Sequence, residues 1–184
     1  MTEELKIISE GTPNPNALKF VLNKTLIEGR SANFDSKDKA HNSPLARKLF
    51  DINAIEEIFI GKNFITVTKH ESALWESLYN QVIDTITSHF ESGEPVFASM
   101  MEESTASSGD PIVDKIKEFL DTRVRPAVES DGGDIIFSGF ENGIVKLRLQ
   151  GACSSCPSST ITLKHGIEQM LRREIPEVKE VIAI

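Results

Sequence analysis

The sequence predicts an α+β protein built from two small domains. Three observations carry that reading. The chain has 184 residues, 39% hydrophobic and 26% charged, a length that fits one large domain or two small ones. Residues 91–110 hold five acids and no Lys or Arg, and they separate two blocks of patterned sequence. Each block mixes strand-like runs with apolar residues at helical spacing, and the second reads helix, strand, strand, helix, strand. The domains are therefore expected at 1–90 and 111–184, with 91–110 as a flexible acidic linker.

In the first block, residues 5–9, 17–22, 55–60 and 63–69 read as strands. Gly61-Lys62 between the last two marks a tight hairpin. Thr12-Pro13-Asn14-Pro15-Asn16 reads as a rigid turn ahead of a strand, or as a partner contact. Residues 23–42 are polar and poorly patterned and are expected to be mostly loop. Ser43-Pro44 opens a short helix, with Ser at the N-cap and Pro at the first helical position, followed by Leu45, Leu49 and Phe50. A longer helix is expected over about 72–90, where Trp75, Leu78, Val82 and Ile86 share one face. In the linker, Val96, Phe97, Met100 and Met101 are the apolar exceptions, able to dock on a domain or a partner.

In the second block, Asp110-Pro111 starts a helix with Ile112, Ile116, Phe119, Leu120 and Val124 on one side. Asp131-Gly132-Gly133-Asp134 is a turn, whose carboxylates are expected to bond local amides rather than chelate a metal. Strands at 135–140 and 144–149 join through Glu141-Asn142-Gly143. A Gly- and Ser-rich loop carries Cys153 and Cys156. Pro157 opens a helix to Glu174, with Leu163, Ile167, Met170 and Leu171 on its buried face. Pro176 ends it, and 178–184 form a last strand. Three strands covered by helices make a core of only about 74 residues, a size that buries roughly 60% of its unfolded surface. No internal repeat relates the two blocks.

The composition excludes several function classes. No apolar run approaches the ~18 to 20 residues of a membrane helix. The acidic start MTEELKIISEG is unlike the basic start of a signal or transit peptide, so the expectation is a bacterial cytoplasm or a mature mitochondrial matrix. The net charge of −8 disfavours a nucleic-acid partner, since phosphate neutralisation needs clustered Lys and Arg. Two cysteines with two residues between them cannot frame a disulfide-stapled fold.

Cys153 and Cys156 lie where a strand gives way to a helix. Free N–H groups and the positive end of the helix dipole favour the thiolate there, the form that binds metal or attacks a disulfide. Four readings compete. The pair could be two buried cysteines by chance. It could be a thioredoxin-like redox pair, although that fold places its motif ahead of further strands and a helix, and here only 28 residues follow Cys156. It could be a structural zinc site, which wants four ligands; His165 sits too far along the helix, and His41, His70 and His89 belong to the other block. It could hold a [4Fe–4S] or [2Fe–2S] cluster, with two chains supplying the four thiolates. A cluster gripped half by each chain is releasable, which suits a carrier.

The stretches RPAVESDGGDI, GACSSCPSSTITLKHGIEQML and IPEVKEV, within 124–184, resemble the NifU-like C-terminal domain of iron–sulfur carrier proteins. TPNPNALKF, SPLARKLFDI and IFIGKNFITVTK resemble the N-terminal domain of Nfu proteins. The resemblance covers both blocks and omits the linker. It implies a non-enzymatic scaffold that binds a [4Fe–4S] cluster through Cys153 and Cys156, bridging two protomers, and passes it to apo-proteins. It further implies an upstream assembly scaffold as donor and an N-terminal domain that meets partners. Amides near Ser154, Ser155 and Ser158 are expected to face the sulfurs, and Gly151 to permit close backbone approach. Ile161, off the buried stripe of its helix, is expected at the dimer interface. The competing reading is a thiol–disulfide oxidoreductase.

Overall fold

The computed structural model describes residues 4–99, 109–154 and 157–184, with backbone only at 157–159. The chain divides into two compact units, Met1–Glu103 and Ser104–Ile184. Both mix helices and strands, as the α+β assignment requires.

The first unit is a five-stranded antiparallel sheet under two helices. Its strands are β1 (Ile7–Gly11), β2 (Ala17–Leu22), β3 (Ala32–Phe34), β4 (Ile55–Ile60) and β5 (Phe64–Lys69), in spatial order β1-β2-β5-β4-β3. The helices are α1 (Pro44–Phe50) and α2 (Trp75–Glu91). Phe20, Leu22, Ile58, Ile60, Ile65 and Val67 point from the sheet into a core closed by Leu45, Leu49, Leu78, Val82 and Ile86. Trp75 sits at the edge of that core, edge-on to Phe20 at 6.5 Å, with its indole N–H donating to the Pro15 carbonyl at 3.3 Å. The Thr12–Asn16 turn is tied internally: the Thr12 hydroxyl donates to the Asn14 and Ala17 carbonyls, and the buried Asn14 Oδ1 accepts from the Asn16 amide.

Two features differ from expectation. Residues 23–42 are not merely loop: β3 adds an edge strand, and a turn of 3-10 helix covers Lys39–Asn42. A three-residue strand and a single turn are too short to show a period. Residues 94–99, expected within the linker, lie on the first unit. Val96 and Phe97 pack against its core, the Ser43 hydroxyl donates to the Val96 carbonyl at 2.7 Å, and the Ala98 amide donates to the Asn42 carbonyl at 2.8 Å. Lys48 pairs with Glu94 at 2.8 Å. Two aromatic or branched side chains and a few bonds to α1 suffice to order a segment whose composition is polar. Met100, Met101 and the remainder of the expected linker to 108 lie outside the described residues.

The second unit is an open three-stranded sheet, order β6-β7-β8, built from β6 (Gly133–Glu141), β7 (Ile144–Gly151) and β8 (Glu180–Ala183). β6 and β7 are an antiparallel hairpin turning on Asn142 and Gly143; β8 runs parallel to β7, a pairing that needs the crossover helix α5 (Pro157–Glu174). The first predicted helix is in three parts: α3 (Pro111–Phe119), a π-helical turn (Leu120–Val124) and α4 (Arg125–Ser130). Pro126 lacks the N–H that a continuous helix would donate, and its ring crowds the preceding turn, so the wider π turn relieves both. The buried stripe continues through the change, with Ile116, Leu120, Val124 and Val128 facing Ile135, Val145, Leu147, Ile167 and Leu171.

Candidate functional site

The cysteine loop is assembled by two turns that meet across the sheet. β7 ends at Gly151, which pairs in register with Gly133 at the start of β6. Gly151 has φ 70° and Gly132 has φ 83°, both in the left-handed region, so the chain reverses sharply on either side of this pair. The Ala152 amide donates to the Gly132 carbonyl at 3.2 Å, fastening the loop to the turn. Gly151 is thus a strand-end glycine whose positive φ makes the turn.

Cys153 lies inside this arrangement, only 4% exposed and part of the second core. Gly133 backs its sulfur. A Cβ there would stand 3.0 Å from Cys153 Sγ and 2.5 Å from the Gln150 carbonyl oxygen, so only glycine fits. The Thr160 hydroxyl, from α5, donates to the Cys153 carbonyl at 3.0 Å. The Ser154 amide and hydroxyl both donate to the Gly151 carbonyl, at 3.0 and 2.8 Å. That differs from the expected role of the Ser154 amide as a donor facing the sulfur. Ser155 and Cys156 lie outside the described residues, as do the side chains of 157–159, Ser158 among them.

The turn feeding β6 is held by ionic contacts that the sequence did not point to. Asp134 is 2% exposed. Its Oδ1 accepts from Arg125 Nε at 3.0 Å and from the Ile135 amide at 2.7 Å, while Arg125 also meets Asp121 at 3.1 Å. Asp134 is therefore a structural carboxylate bonding a local amide, as expected, with a guanidinium partner besides. Arg125 and Asp134 are nine residues apart across a turn, and no local pattern joins them.

Other sequence candidates are apart from the loop. His165 is exposed on α5, His41 and His70 are exposed on the first unit, and His89 is fully buried there. Among the described residues no three His, Cys, Asp or Glu side chains form a group that could hold a metal ion. Ile161, one residue past Thr160, is 59% exposed. A groove of about 700 Å³ in the first unit, lined in part by Leu26, Ile27, Phe90, Val96 and Phe97, includes no cysteine. No helix among the described residues is long and apolar enough to cross a membrane.

Known proteins place this architecture. The family described as "Scaffold protein Nfu/NifU N terminal" matches residues 7–93, and the family "NifU-like domain" matches 116–182. A human protein named NFU1 iron-sulfur cluster scaffold homolog, mitochondrial, is 49% identical over 178 residues, covering 95% of this chain and 70% of its own length. This chain belongs to the Nfu family. A protein of the same name from Drosophila ananassae is 45% identical over 183 residues, and this Nfu-family chain spans 63% of its length. A solution NMR structure of a NifU-like protein from Saccharomyces cerevisiae is 28% identical, covering 54% of this chain and 91% of its own, with a TM-score of 0.48. The two matched regions coincide with the two units and place the cysteine loop in the NifU-like one.

Proposed function

We propose that this protein is an iron–sulfur cluster scaffold and carrier. The [4Fe–4S] cluster is its cargo, held between two protomers by Cys153 and Cys156 of each, and handed to apo iron–sulfur proteins after receipt from an upstream scaffold. A [2Fe–2S] cluster would meet the same four thiolates. The observation that carries the reading is the C-x-x-C pair itself. It is set between a strand and a helix of a NifU-like unit and supplies half of the four ligands that a cluster wants. The relatives' names, which describe mitochondrial iron–sulfur cluster scaffold homologs, support the role and favour the mitochondrial matrix over a bacterial cytosol.

The chemistry asked of the chain is ligand exchange, with no general acid or base. Incoming thiolates of a target displace Cys153 or Cys156 stepwise, and each protomer releases only two bonds. Backbone amides at the start of α5 would offset the negative charge of a tetrathiolate cluster. Ile161, exposed beside the loop, would meet the second protomer.

Anaerobic reconstitution with iron and sulfide tests the reading. Charge-transfer colour with about two irons per chain is expected, and Cys153→Ala and Cys156→Ala should each come out colourless but folded. A colourless wild type carrying zinc, or one cycling between dithiol and disulfide without iron, would replace this function with a structural-metal or oxidoreductase one. Ile161→Lys should load less iron per chain while melting normally; full loading would remove Ile161 from the interface.

A further inference from the structure

Lys69, the last residue of β5, is only 6% exposed, yet no carboxylate among the described residues forms an ion pair with it. Its ammonium donates to Asn16 Oδ1 at 2.9 Å and to the His70 carbonyl at 3.4 Å, and it stands 6.0 Å from the centre of the Trp75 ring. All three partners are neutral. A buried lysine is ordinarily paired, because an unneutralised charge leaves water at high cost. Two neutral acceptors require a donor rather than a cation, so the fold by itself leaves the charge without a role.

The surroundings add to that positive charge. α2 begins beside it, at Trp75, and no side chain caps its first turn, so free N–H groups and the positive end of the helix dipole lie at the same place. The N-cap residue is Leu74, 67% exposed, where Ser, Thr, Asp or Asn is the usual choice. Exposed Pro15 adjoins the Trp75 indole, which donates to its carbonyl. Glu71 and Glu76, both exposed and close in sequence, make the rim unfavourable to a doubly charged phosphate.

We propose that Lys69 and the start of α2 form a recognition site for an acidic side chain flanked by apolar residues on a partner protein. The partner's carboxylate meets the Lys69 ammonium and the α2 amides, and its apolar neighbours cover Leu74 and Pro15. The Asn16 side chain, and with it the Thr12–Asn16 turn, positions the ammonium. The site involves neither cysteine, so it stands or falls apart from the cluster-carrying function.

Trp75 is the only tryptophan, so its indole N–H reports on the site in the isotope-labelled, cluster-free full chain. The chain is titrated with the blocked peptide Ala-Leu-Glu-Leu-Ala and with its Gln counterpart. The Glu peptide should move the indole signal with a Kd of about 1 mM, and the Gln peptide should bind at least ~10-fold more weakly, the loss expected for one charge-assisted hydrogen bond. Lys69→Gln, which keeps a donor for Asn16, should bring both peptides to the same weak binding. Leu74→Asp caps α2 and sets a carboxylate at the site, so it should melt no lower than wild type and lose the response to the Glu peptide. It decides the matter if Lys69→Gln does not fold. Equal binding of the two peptides to wild type, an undiminished preference in either variant, or no shift at about 10 mM peptide would overturn the site. Inorganic phosphate moving the signal as strongly as the Glu peptide would overturn the protein partner in favour of a free anion.

Discussion

At the scale of single residues, the site depends on three contacts distant in sequence or invisible in pattern. Gly133 is a glycine because a methyl group would meet the Gln150 carbonyl at 2.5 Å and the Cys153 sulfur at 3.0 Å. Gly133→Ala should therefore cost about 1–3 kcal/mol, the range for overpacking a filled interior, and urea unfolding measures it. A cost near zero would mean that the β6 turn yields freely. Arg125 gives the buried Asp134 carboxylate its guanidinium partner, and removing Arg125 leaves that carboxylate without this counter-charge. Arg125→Leu should destabilise by about 3 kcal/mol, and adding Asp134→Asn should recover part of that, since the stranded charge is then gone. Additive losses in the double variant would contradict the pairing. The cysteine pair stood out in the sequence because chemistry limits what a C-x-x-C between a strand and a helix can do, and the structure places Cys153 in the loop after β7. Gly133, Arg125 and Thr160 were not, since each acts through a residue brought near only by the fold.

Elements were legible where a period repeats long enough. α2, α5, β2 and β4 stand where spacing and turn residues put them, and Ser43-Pro44 begins α1 as its capping chemistry requires. β3, the π turn and the docked segment 94–99 were not legible, being short or dependent on a partner surface. Ser43 links these cases. Its hydroxyl oxygen accepts from the Ala46 amide and donates to the Val96 carbonyl, and the residue is wholly buried. Ser43→Ala should cost about 1–2 kcal/mol, at the upper end for an N-cap, with raised hydrogen exchange at the Ala98 amide. An unchanged Ala98 would show that 94–99 is held by its apolar side chains alone. The C-terminal turn of α2 adds a pH dependence. His89 is fully buried, with neither ring nitrogen in a hydrogen bond of good geometry among the described residues and the Glu94 carboxylate 3.8 Å away. Burial, reinforced by Lys48 and opposed by Glu94, holds its imidazole below the ordinary value near 6.5. The unfolded chain then takes up a proton before the folded one as pH falls below about 6.5, so stability declines with falling pH across that range. The Lys48 bond holds the Glu94 carboxyl below its usual value, so its own contribution is lost only at lower pH, in the carboxylate range. His89→Leu should flatten the fall in melting temperature between pH 7.5 and 5.5; an undiminished slope would assign it to another group.

At the scale of the molecule, two units on one chain were readable from composition, because residues 91–110 carry −5 of the −8 net charge. The boundary was less readable, since 94–99 belongs with the first unit while sharing that composition. The excess negative charge is consequently not confined to a linker, since Glu91 ends α2 and Glu94 pairs with Lys48 on the first unit. Both cysteines fall in the NifU-like unit, and the groove described above lies in the Nfu-like one. The central claim is that half a ligand set per chain makes a shared cargo site. Native mass spectrometry of anaerobically reconstituted full-length protein, with iron determined on the same sample, tests it most directly. The account predicts a dimer carrying one [4Fe–4S] cluster, about two irons per chain, that falls apart into iron-free monomers when a chelator strips the cluster. A monomer holding a complete cluster, or a dimer with one cluster in each chain, would contradict it.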